Sequence, residues 1–299
     1  MRSLLAWGLL LALCVGLYAA CADADAHPGR TRSAMSRVFV ATSAASDTGD
    51  AGSDAGLDAS FQFANASDDY TTCPDRAGFD SSGDGKEFSA GCWVRRSALE
   101  NSEIFFAQTD SPASADLKFA IQAQDSTGGS TYDDIVVYFA DTSASWRSCP
   151  TNVNMATNTW YLVVAVYDGN AAGSEVQLSV NGAAKTIGSC SGSVPSTLRN
   201  SAGDVKIGHY SDASNSVFAW NGQVADCYIW NEALTNGELS TLYNSGTPLP
   251  YASVSPAPDF MVKGCTRNGT GGYPQVAPET GGADCVATNG PTCVSTYPP

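Results

Sequence analysis

The chain has 299 residues, with 30 acidic against 15 basic side chains and a formal net charge of −15 at pH 7. An acidic excess of that size argues against nucleic-acid binding through phosphate neutralisation. It suits an ordinary soluble, secreted surface, or one that attracts cations.

The first twenty residues read as a secretion signal. Arg2 supplies the positive n-region, and Leu4 to Ala20 form an apolar stretch shorter than a confident membrane span. Two processing readings stand. Signal peptidase I finds small-x-small sites at Ala22 and Ala26, which gives a signal over residues 1–22. Lipoprotein processing would instead end the signal at residue 20 and leave Cys21 as an acylated N-terminus, with Tyr18 standing where a lipobox usually has Leu. An uncleaved anchor is a third arrangement. The first two readings place the mature chain outside the cell or on its surface, where a lipid on Cys21 would be the membrane contact. Residues 23–58 are dominated by Ala, Ser, Asp and Gly and read as a tether, with one apolar patch at Val38 to Val40 suited to adding a strand to a neighbouring copy.

From about residue 59 the pattern is that of strands. In LKFAIQA, Leu117, Phe119, Ile121 and Ala123 share one face; in EVQLSVNG, Val176, Leu178 and Val180 alternate with polar residues, and Asn181-Gly182 is a favoured hairpin turn. DIVVYF at 134–139 and WYLVVAVYDG at 160–169 are continuously apolar, as strands buried on both faces are. Near the end, Val224 with Ala225, Cys227 and Ile229 reads as one alternating strand. A helix then begins at Thr235: Thr235 and Glu238 make a capping box, Leu234 and Leu239 stand at staple positions, and Gly246 follows the last apolar pair, Leu242 and Tyr243. These readings total about ten to thirteen strands. Residues 248–299 are Pro- and Gly-rich and hold three cysteines; such a segment builds no core of its own and is expected to be stapled to the strand-rich part of the chain.

Ten cysteines are present, and processing leaves eight: Cys73, Cys92, Cys149, Cys190, Cys227, Cys265, Cys285 and Cys293. An even number in a secreted chain points to disulfides. Metal ligation fits poorly, because there is no CxxC or Cys/His spacing and the only histidines are His27 and His209. Asn65 and Asn268 lie in glycosylation sequons, acceptors only in a host with that machinery.

The ordered segments FQFANASDDYTT, EFSAGCWVRR, TWYLVVAVYDG, VQLSVNG, VKIGHY and FAWNGQVADCYIWNEALT resemble the LamG-like jelly rolls of the concanavalin A-like lectin and glucanase superfamily, the fold also of pentraxins. The resemblance covers residues 59–247 and implies an all-β, two-sheet antiparallel jelly-roll sandwich with one short helix near its C-terminal end. It sets the first long strand beside the last, which implies a Cys92–Cys227 bridge. Cys149–Cys190 is the second pair expected, and Cys73 would pair among the three tail cysteines. Calcium in related proteins implies Asp69 with Asp226, or Asp212 with Asn215 in the loop before the closing strand; Ala225 stands where the family usually has its first Asp. The acidic turn with Asp125, Asp133 and Asp134 is a third candidate.

Glycanases of this fold use an ExDxxE strand, and that string is absent. His209, Tyr210 and Asp212 would be the material for lyase chemistry, but a lone strand-end histidine has ordinary structural uses. The resemblance therefore implies a non-catalytic module that binds a carbohydrate or an extracellular protein in adhesion or matrix. Trp146, Trp220, Tyr132 and Tyr210 are the aromatic platforms, since they lie in or beside loops, whereas Trp93, Trp160 and Trp230 fall on strands as structural residues. The alternative is a structural subunit that self-assembles into a filament or surface layer through its N- and C-terminal segments.

Overall fold

A computed structural model describes residues 60–64, 69–74, 86–99, 102–109, 117–124, 134–143, 145–173, 175–199, 203–210, 218–262, 285–288, 291–295 and 298. The chain divides into two units, Met1–Ala51 and Gly52–Pro299, and every described residue belongs to the second. The signal and tether readings, Cys21, Asn65, Tyr132, Asp212, Asn215, Cys265 and Asn268 lie outside the described residues.

Alternating and apolar segments form β1 (Ser60–Phe63), β2 (Tyr70–Cys73), β3 (Glu87–Arg96), β4 (Glu103–Thr109) and β5 (Leu117–Gln124). Next come β6 (Asp134–Ala140), β7 (Trp146–Pro150), β8 (Trp160–Asp168), β9 (Val176–Val180) and β10 (Ala183–Lys185). The chain continues through β11 (Asp204–Ile207), β12 (Gly222–Trp230) and the helix α1 (Asn236–Tyr243). Three short strands follow, β13 (Phe260–Val262), β14 (Val286–Thr288) and β15 (Thr292–Val294).

These strands make two antiparallel sheets. One has eight strands, ordered β10-β9-β8-β3-β12-β1-β15 with β13 also on β12; the other has seven, ordered β14-β2-β11-β4-β5-β6-β7. Their facing sides bury one core, with Phe61, Phe63, Phe88, Phe105, Phe106, Phe119, Phe139 and Tyr167 at its centre. The eight-stranded sheet's other side carries Trp93, Leu162, Val164, Tyr228 and Trp230, which are covered by Leu234, Leu239 and Leu242 of α1 and its approach. Trp93 stacks on Tyr243 at 5.7 Å, and Trp160 packs against the same cluster. That second layer explains why β8 is apolar on both faces.

Local signals hold where the chemistry is local. Asn181 and Gly182 take φ of 55° and 73°, joining β9 to β10 as a two-residue hairpin. The Thr235 side chain accepts from the Glu238 N–H while Glu238 accepts from the Thr235 N–H, so the capping box is complete. The helix ends one step earlier than its glycine suggests. Asn244, at φ 45°, takes the left-handed cap, because an Asn side chain tolerates that region, and Gly246 follows in the next turn.

The closing strand corrects one expectation. Val224, Cys227 and Ile229 face the core, but Ala225 lies with Tyr228 and Trp230 on the side under α1. The register against β3 shifts between Ala225 and Cys227, and Asp226 sits there with φ 40°. A bulge inserts one residue, so the alternation changes face midway.

Cys92 and Cys227 are direct partners in the β3–β12 ladder and form a disulfide, as do Cys149 with Cys190 and Cys73 with Cys285. Cys293 is disulfide-bonded too. Such bridges suit an extracellular, oxidising compartment. The tail belongs to the sandwich: β13 pairs with β12, β14 with β2 and β15 with β1.

Candidate ligand-binding face

The outer side of the seven-stranded sheet has no helix over it among the described residues, yet its middle is apolar. Phe106, Phe119, Ile121, Val137, Phe139 and Ile207 enter the core, while Ala107, Ala120, Tyr138 and Lys206 alternate with them on the outer side. One outward row runs Lys206, Ala107, Ala120, Tyr138, Ser148 across β11, β4, β5, β6 and β7. Ile104, Ala107, Leu117 and Ala120 form a buried floor, and Tyr138, Tyr210 and Phe218 pack over it. A solvated outer sheet face normally reads polar; this one carries small residues beneath half-buried rings.

Trp146 extends the layer onto the edge strand. It is 44% exposed and lies 5.5 Å from Tyr138, centroid to centroid. Burial pushes the Tyr138 phenol above its ordinary range. The turn before Trp146 is organised by Asp141, whose Oδ1 accepts from Ser143 N–H at 2.8 Å, Ser143 Oγ at 2.6 Å and Ser145 N–H at 3.0 Å. The Ser143 hydroxyl is the main reason the Asp141 carboxyl lies below the usual range. On the other side of Trp146, Arg147 Nε donates to Ser193 O at 3.1 Å, and the Cys149–Cys190 bridge fixes the same edge.

The opposite end is set by a backbone break after β11. Gly208 adopts φ 89°, where a Cβ would come within 2.6 Å of the Phe63 ring, so this close approach requires glycine. His209 is buried and stacks on Tyr210 at 5.7 Å, with Tyr70 at 6.1 Å. Tyr210 meets Phe218 edge-on at 5.2 Å. Beside them, Lys206 Nζ donates to Thr72 Oγ1 at 3.1 Å, lies 5.5 Å over the Tyr70 ring and is 4.0 Å from Asp204 Oδ2.

Of the anticipated platforms, Trp146 and Tyr210 lie on this face. Trp220 does not: it is fully buried in the core, edge-on to Phe105 at 5.3 Å, with Nε1–H donating to Gln223 O at 3.3 Å. Loop proximity in the sequence misplaced it, since Trp220 N–H donates to Gly208 O and draws its segment into the sheet. Tyr138, Phe218 and Lys206 were not singled out by sequence reasoning. For Tyr138 a signal existed, since it is the one hydroxyl-bearing ring in the run DIVVYF and alternates with the core residues Val137 and Phe139.

Asp69 and Asp226, the first pair of calcium candidates, are both among the described residues and both buried. Asp69 is buried and its Oδ2 accepts from Ala64 N–H at 3.1 Å, beside the Phe63–Gly222 end of the β1–β12 pairing. Asp226 is buried four residues further along β12, in the bulge. Among the described residues no group of three or more His, Cys, Asp or Glu is gathered as a metal site. Glu103 accepts from Arg96 Nε at 2.7 Å and from Asn221 N–H at 2.8 Å.

No curated protein matches the chain. Among solved structures, a candidate carbohydrate-binding protein of Bacteroides ovatus is similar at 15% identity and a TM-score of 0.55, over 80% of this chain and 60% of that one. A heptameric SAP-like pentraxin from Limulus polyphemus aligns at 15% identity over 79% of this chain and 96% of its own, with a TM-score of 0.47. Mouse laminin alpha1 domains LG4–5 align at 13% identity over 62% and 44% respectively, with a TM-score of 0.43. A laminin G family model matches residues 65–240, more than half of the sequence, and the chain therefore belongs to the concanavalin A-like lectin/glucanases superfamily.

Proposed function

We propose that this chain is a secreted or surface-tethered, non-catalytic binding module that takes a carbohydrate on the outer face of its seven-stranded sheet. The observation that carries the reading is the ring layer of Tyr138, Tyr210 and Phe218 over a floor of small and aliphatic residues, continued by exposed Trp146. The C–H faces of sugars stack on such rings, and hydroxyls find partners at the Tyr138 phenol and Ser148. The carbohydrate-binding description of the Bacteroides ovatus structure points the same way, as fold-level analogy. Glu103 is held by Arg96 and no ExDxxE string occurs, which supports binding without turnover. The signal-like N-terminus and the disulfides support secretion.

The test is a glycan array followed by titration of the best ligand. Trp146→Ala and Tyr138→Ala are each expected to weaken binding about 10-fold, roughly 1.4 kcal/mol, with Trp146→Ala leaving the melting temperature unchanged. Wild-type affinity in both variants would refute the face assignment. A second copy of the chain is the rival occupant, as in a filament or surface layer, and a concentration-dependent dimer broken by Trp146→Ala would favour it.

A further inference from the structure

We infer that the segment 187–193 is a clasp on the outer edge of β7, and that the Cys149–Cys190 bridge withholds that edge from a second copy of this chain. β7 ends the seven-stranded sheet, so every second residue turns its backbone groups away from β6. An edge of that kind is a template for another strand. Here the clasp and a neighbouring side chain take up the outward groups. Ser148 N–H donates to Ser191 Oγ at 2.9 Å, and Ser148 O accepts from Ser191 N–H at 2.9 Å. Pro150 has no N–H to offer, and its carbonyl accepts from Gly188 N–H at 2.8 Å. Trp146 O accepts from Arg147 Nη1 at 3.0 Å, and Thr151 pairs with Ile187 in an antiparallel bridge.

The clasp has little packing of its own. Gly188, Ser189, Ser191, Gly192 and Ser193 are exposed, and only Ile187 and Cys190 rest partly buried against the core. Exposed hydrogen bonds exchange readily with water, so the covalent tie to Cys149 is the main restraint. Other edges end the same way. β14 follows Cys285 onto β2, whose last residue is Cys73, and β15 carries the disulfide-bonded Cys293 onto β1. The fourth edge, β10, is three residues long and ends on Lys185, a different guard against pairing. An uncovered β7 suits a second copy best, because a two-fold axis lays the strand antiparallel on itself with the Ser148 donor and acceptor meeting their own kind. Trp146, 44% exposed on the same strand, would add apolar contact across that axis.

The experiment is sedimentation velocity of the full mature chain at rising concentration. It compares wild type, the opened variant Cys149→Ala with Cys190→Ala, the same variant carrying Ser148→Pro, and Cys92→Ala with Cys227→Ala. Expected are a monomer for wild type, a doubled mass for the opened variant with its circular dichroism unchanged, and a monomer again once Ser148→Pro removes the outward N–H. The Cys92 and Cys227 variant should stay monomeric although it loses more stability, since that bridge lies inside the β3–β12 ladder and guards no edge. Should the opened variant fail to fold, Cys149→Val with Cys190→Ala keeps the core position filled and should give the same doubling. A monomer at every concentration in the folded opened variant would overturn the inference, and so would a dimer that survives Ser148→Pro.

Discussion

Arg96→Met is expected to cost about 3–5 kcal/mol of folding stability, read as the midpoint of urea unfolding. Arg96 ends β3 in one sheet and Glu103 begins β4 in the other, and their 2.7 Å contact is almost completely buried, at 2% and 0% side-chain exposure. Removing the guanidinium leaves a carboxylate sealed in the core, where desolvation outweighs whatever packing the methionine restores. The pair itself contributes less than that loss, since much of its attraction offsets its own desolvation. Adding Glu103→Gln should therefore recover part of the stability, because the amide oxygen still accepts from Asn221 N–H and carries no charge. A double variant no more stable than Arg96→Met would show that charge burial is not what the single change exposes.

Replacing Cys92 and Cys227 together by alanine should lower stability by about 4–5 kcal/mol, from the entropy released to the unfolded chain. This bridge closes 135 residues, against 41 for Cys149–Cys190, so the loss should be the larger of the two. It also lies next to the Asp226 bulge, where the β3–β12 ladder is interrupted. For a unit of this size the double variant should melt about 10–15 °C lower. Equal losses for the two bridges would place the effect in local packing instead of chain entropy.

The sequence carried the parts of the fold that repeat or are local. Alternation in LKFAIQA and VQLSVNG, the Asn181–Gly182 turn and the Thr235–Glu238 box each need only neighbouring residues, and each is present in the structure. The Asp226 bulge needed a partner strand, because a single strand cannot reveal that its register slips against β3. Strands β13, β14 and β15 are three residues each, too short for a period to register within a Pro- and Gly-rich tail. The site was half legible. Trp146 stood out as an exposed-type aromatic beside a turn, whereas Tyr138 was masked by its apolar neighbours, and Trp220 misled because its contacts with Phe105 are remote in sequence.

The central claim is that ligand is held on the outer side of the seven-stranded sheet. Mapping backbone amide shifts in the isotope-labelled protein as an oligosaccharide is titrated tests it directly. The account predicts that the largest shifts fall on Ala120, Tyr138, Trp146 and Tyr210, with the α1 side of the molecule silent. Shifts centred on α1 and the Trp93–Trp230 side, with those four amides unmoved, would contradict it.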